Sequence, residues 1–118
     1  MHNTITSNIH YDGYADAHRH EAVGDCYVNK PYDEYNTYGL EWNEDEYIFY
    51  INGVESARSS FGGASRVPMH LILTVCVSGG SGDGITPVVE ADWAGDIRKN
   101  NLLPSDFVVD YVRAYQYR

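Results

Sequence analysis

The chain has 118 residues, 43% of them hydrophobic, which is enough to fill the core of one domain and too little for two. Lys and Arg number 8 against 17 Asp and Glu, a formal charge of −9, and no basic run gathers that could neutralise phosphates; nucleic acid and anionic membranes are excluded as natural partners. No apolar run approaches the roughly 20 residues that span a bilayer as a helix, and MHNTITSNIHY lacks the charged and apolar regions of a signal peptide, so a soluble, mature or truncated chain is expected.

Taken in order, Ile5, Ser7 and Ile9 alternate with Thr and Asn, so a strand begins almost at the first residue. Residues 11–35 read as a long polar connection with a short strand at 26–28, and connections of that length in compact domains tend to carry function. The spacing of His18 and His20 would turn two imidazoles to one side of a strand, toward one metal ion, but no third ligand is evident and no metal is expected. Only Cys26 and Cys76 are present, and spacing alone does not decide whether they pair.

Residues 35–58, YNTYGLEWNEDEYIFYINGVESAR, predict a three-stranded meander. Tyr38, Leu40 and Trp42 alternate with Thr37, Gly39 and Glu41, which gives a first strand with one apolar face. Residues 47–51, YIFYI, are apolar or amphipathic on both faces, as a strand requires when a second sheet or a ligand cleft covers its other side. Between this run and Val54, Asn52-Gly53 is the strongest short hairpin signal, because a type I′ turn needs positive φ at both central positions.

Residues 61–69, FGGASRVPM, have turn chemistry, and residues 70–77, HLILTVCV, predict a central strand. A second long connection follows, with Trp93 as its large anchor. Its GGSGDG at 79–84 lacks the lysine and the following helix of a phosphate loop. Residues 107–117, FVVDYVRAYQY, alternate as a closing strand. Six or seven strands and no helix predict an all-β antiparallel sandwich, a single domain over 1–118. Tyrosines number 11, more than a small core accepts with each hydroxyl bonded, so some rings should face solvent or sugar.

Three signatures stand in order: NIHYDGYADAHRH, then YNTYGLEWNEDEYIFYINGV, then HLILTVCVSGG followed by WAGDI and DFVVDYVRAYQ. Together they resemble the C-terminal half of family 16 glycoside hydrolases, the laminarinase and lichenase type of endo-β-glucanase with a concanavalin-like jelly roll. The resemblance implies a β-glucan partner, retaining hydrolysis by two carboxylates, no cofactor, and a place outside the cytoplasm. The family's catalytic strand reads Glu-x-Asp-x-x-Glu, with carboxyls roughly 5–5.5 Å apart. That motif is absent, so the chain is expected to start downstream of it and to lack activity or nearly so. Half a jelly roll would leave strand edges and an apolar face unpaired, which predicts completion by a second chain in a homodimer or domain swap.

The resemblance places His10, Tyr11 and His18 along the substrate cleft, where rings stack on sugars and imidazoles bond hydroxyls; ordinary surface loop residues are the alternative. Trp93 either plugs a core edge against Ile97 and Phe107 or offers a sugar platform. Glu41 is a weak catalytic candidate, should its face be the concave one; a solvated or paired charge is the alternative. The expected activities are therefore a glucanase-like fragment, a glucan-binding sandwich that does not cleave, or a structural and interaction domain.

Overall fold

The computed structural model describes residues 3–13, 15–75 and 106–116. The chain divides into two compact units, Met1–Met69 and His70–Arg118. All regular structure among the described residues is β, and it lies in the first unit: β1 (Thr4–Tyr11), β2 (Arg19–Tyr27), β3 (Tyr38–Trp42), β4 (Tyr47–Ile51) and β5 (Val54–Ser59). Two antiparallel sheets result, β1-β2 and β3-β4-β5. None of the described residues forms a helix long and apolar enough to cross a membrane.

The predicted meander forms as its pattern requires. Asn52 and Gly53 take φ of 52° and 78° at the β4–β5 turn, as a type I′ turn demands. The Asn52 carboxamide then ties this turn to the entry of β3, accepting from the Thr37 backbone N–H at 2.9 Å and donating to Asn36 Oδ1 at 2.9 Å. At the other end Asn43 Oδ1 accepts from the N–H groups of Asp45 and Glu46, both at 2.9 Å, an Asx turn that reverses β3 into β4.

Register sorts the side chains. Tyr38 pairs with Ile51, Leu40 with Phe49 and Trp42 with Tyr47, so these six share one face, while Glu41 pairs with Ile48 and Gly39 with Tyr50 on the other. Tyr47, Ile48 and Ile51 are buried, with Val28 beyond the end of β2; each such side chain contributes roughly 1.5–3 kcal/mol. The apolar character of β4 on both faces is thereby explained.

The β1–β2 pair corrects the expected polar connection. Arg19–Tyr27 is a nine-residue strand rather than a short one at 26–28, and its sequence RHEAVGDCY conceals it because charged and small residues replace the β-branched run that usually marks a strand. A bulge lies where the register shifts: Ser7 faces Gly24 but Asn8 faces Ala22, so Val23 is the extra residue. Strand β2 also approaches β5 closely, since a Cβ on Gly24 would stand 3.0 Å from that of Ala57. Ser59 Oγ donates to Glu21 Oε2 and accepts from the Phe61 N–H at 2.9 Å, a second link from β2 to the end of β5.

In the second unit, the described parts of the two further predicted strands, residues 70–75 and 106–116, lie outside any sheet. Leu71, Ile72, Val75, Val108 and Val112 are exposed there. β-Branching and alternation fit a segment for pairing, but the partner edge is not encoded in the segment itself. Cys26 is a free thiol. Cys76, the glycine-rich stretch 79–84 and Trp93 lie outside the described residues.

Candidate functional site

The antiparallel ladder sets His10 of β1 directly opposite His20 of β2, so both project from the same face of the sheet. His18, two residues before His20, follows the turn closed by its own N–H to the Ala15 carbonyl at 2.9 Å. Its ring joins the other two. Nδ1 of His10 lies 3.0 Å from Nε2 of His18, and the ring planes are 9° apart with centres separated by 5.2 Å. That separation is what two imidazoles reach when the N···N bond lies along the line joining their centres. One ring therefore donates and the other accepts. The His20 ring stands 5.8 Å from His10 and 5.7 Å from His18, completing a triangle. Arg19, by alternation on the other face, turns its guanidinium back to the carbonyls of Ala17 and His18 at 3.1 and 3.0 Å.

Of the residues singled out in the sequence, His10 and His18 are thus brought together, and Tyr11 is not part of their cluster. The Tyr11 ring meets Phe61 edge-on at 5.3 Å and lies over Gly62, where a Cβ would come within 2.5 Å of it. Its face is occupied by the chain. Trp42 is held similarly: Nε1 donates to the Ser65 carbonyl at 2.8 Å, and the Ser65 N–H donates to Tyr47 Oη at 2.7 Å. The 61–65 segment is stapled to the strands by these contacts.

Next to the histidines, a groove of about 190 Å³ runs between β1 and the apolar face of the meander. Ile9, Leu40, Tyr47 and Phe49 line it, with Asn8 and His10 as polar members. Mostly apolar walls with a few placed hydrogen-bonding groups suit a small polyhydroxylated ring, which offers C–H faces and hydroxyl edges. The sequence leaves open whether a second sheet or a cleft covers Tyr47 and Phe49, because alternation does not say which core positions the second sheet leaves uncovered.

Glu41 lies on the opposite face. Its Oε2 accepts from Tyr50 Oη at 3.1 Å, and the same face carries Arg58, bound bidentately to Glu55 with two 2.7 Å bonds and to Glu46 at 3.0 Å. Partial desolvation and then the Glu41 carboxylate push the Tyr50 phenol above its ordinary pKa. The hydrogen bonds from Arg58 hold the Glu55 carboxyl below its ordinary value. Glu41 is therefore a paired charge on a face away from the groove. No group of three His, Cys, Asp or Glu side chains already disposed to hold a metal occurs among the described residues.

Comparison with known proteins gives one match: the model for glycosyl hydrolases family 16 covers residues 1–97. No curated protein and no solved structure matches the chain.

Proposed function

Since the chain belongs to glycosyl hydrolase family 16, a family whose members act on polysaccharides, we propose that it is a carbohydrate-active β-sandwich that contacts a β-glucan through the groove beside His10 and does not cleave it. The observation that carries this reading is the juxtaposition of the apolar floor, Ile9, Leu40 and Phe49, with the polar groups of Asn8 and His10. The sugar's C–H face would lie on the floor while its hydroxyls bond polar groups of Asn8 and His10 at the rim. The sequence contains no Glu-x-Asp-x-x-Glu strand, and Glu41 is engaged by Tyr50 on the other face, so the carboxylate pair of retaining hydrolysis has no counterpart among the described residues.

The test uses the purified chain with laminarin and with mixed-linkage glucan. Retarded migration in a glucan-containing gel without release of reducing ends is the expected result. Sustained turnover, lost in Glu41→Gln, would overturn the non-cleaving reading; absence of both retardation and turnover would overturn the glucan reading itself.

A second reading concerns assembly. The exposed apolar side chains of Leu71, Ile72, Val75, Val108 and Val112 favour a homodimer or domain swap in which a second copy supplies strand partners. Light scattering that returns twice the chain's mass supports it, and a monomer mass at tens of micromolar counts against it.

A further inference from the structure

We propose that His10, His18 and His20 form a binding site for a borderline divalent transition metal, zinc above all, with the imidazoles as its three protein ligands and water completing the coordination.

The backbone supplies the arrangement. Cross-strand pairing fixes His10 against His20, and His18 precedes His20 by the two residues that return a side chain to the same face. In a tris-imidazole zinc site, with Zn–N about 2.0–2.1 Å and about 1.1 Å from ring nitrogen to ring centre, the centres lie about 3.2 Å from the metal and about 5.2–5.5 Å from one another at tetrahedral to trigonal angles. The three centres here are 5.2, 5.7 and 5.8 Å apart. A point equidistant from all three lies at the required distance.

The nitrogens do not yet converge, because His10 and His18 satisfy each other through their 3.0 Å contact. To bind metal, the rings pivot about their own centres, and that N···N distance opens to about 3.3–3.5 Å while each nitrogen turns inward. His10 and His20 are exposed, so the motion displaces water rather than core. The electrostatics agree: the chain carries −9 overall, and Arg19 is turned away onto backbone carbonyls. Neutral imidazole nitrogens are ligands for zinc, nickel and copper rather than for calcium or magnesium, which take oxygen. Three side-chain donors leave a coordination position open, the pattern of sites where bound water or a substrate hydroxyl reaches the metal.

The site does not rest on the glucan reading, and its test needs no glucan. The full chain, stripped with chelator, is titrated with zinc chloride by calorimetry at pH 7.5, and with cobalt chloride by visible absorption. Expected are one zinc per chain, affinity lowered by about tenfold or more in each of His10→Ala, His18→Ala and His20→Ala, and an intense four-coordinate cobalt spectrum. His70→Ala, outside the trio, should bind as the unaltered chain does. Circular dichroism of each variant separates loss of a ligand from loss of fold. No zinc uptake by the unaltered chain overturns the proposal; so does uptake that survives His20→Ala undiminished in a folded variant, or that disappears with His70→Ala.

Discussion

Tyr50 donates its phenolic hydrogen to Glu41 across the β3–β4 pair at 3.1 Å. In sequence Glu41 is a weak catalytic candidate with a solvated or paired charge as the alternative; in the fold it accepts a neighbour's hydrogen bond. The carboxylate favours the protonated phenol, so Tyr50 titrates above its ordinary value, after desolvation as the first cause. In Glu41→Gln the Tyr50 midpoint should move down toward that of an ordinary tyrosine, as read by NMR of ring-labelled tyrosine. A Tyr50 titration indifferent to Glu41 would show that the contact does not persist in solution.

Glu55 gives a pH dependence of the opposite sense. Arg58 lowers its folded-state pKa below the ordinary 4.5, so the folded state releases this proton more readily than the unfolded state. The stabilisation is fully present above the unfolded value and is lost as pH falls through the lowered folded one. Denaturant midpoints of the unaltered chain and of Glu55→Gln should therefore differ at pH 7 and converge on acidification. A gap that stays constant down to pH 2 would assign the effect to packing.

Gly62 sits at φ 74° with the Tyr11 ring against it. Gly62→Ala adds left-handed strain of about 1–2 kcal/mol and drives a methyl into Tyr11, so stability should fall by at least that amount in urea unfolding. Restoration by Tyr11→Gly in the same background is not expected, because it removes the Phe61 contact as well.

Gly24 makes the approach of β2 to β5 possible. Gly24→Ala would place two methyl carbons 3.0 Å apart, an overpacking that costs about 1–3 kcal/mol. The double variant Gly24→Ala, Ala57→Gly should recover part of the loss, a coupling that additive independent sites would not show.

The Asn52 turn should be the weakest point of the meander to substitution. Asn52→Ala keeps φ of 52° without the side chain that tolerates it and removes the bonds to Thr37 and Asn36. A loss of about 1–3 kcal/mol is expected from urea unfolding.

What could be read from sequence divides along a physical line. Residues 38–59 announced themselves because strand period, turn type and capping amide all lie within one short stretch, so local rules suffice. Strand β2 was hidden because its residues are strand-forming only against β1; nothing in RHEAVGDCY by itself demands extension. The opposite error befell residues 70–75, whose apolar run has strand character without a ladder. His18 and His20 were read as a pair and His10 as a cleft residue, but the meeting of all three depends on a pairing between segments ten residues apart. Tyr11 was placed at a cleft by resemblance; in the fold its ring packs on Phe61 and Gly62.

That pairing hangs on Val23. Counted from the open end of the hairpin, partners run Thr4 with Tyr27 through Ser7 with Gly24, and continuing so would set His10 opposite Glu21 and Tyr11 opposite His20. The extra residue changes the parity of everything beyond it. Were Val23 drawn into the ladder and the bulge lost, His10 and His20 would go to opposite sides of the sheet with every residue still present. Deletion of Val23 itself would leave a regular ladder in which His10 still faces His20, whereas loss of Glu21 or Ala22 with the bulge kept would part them.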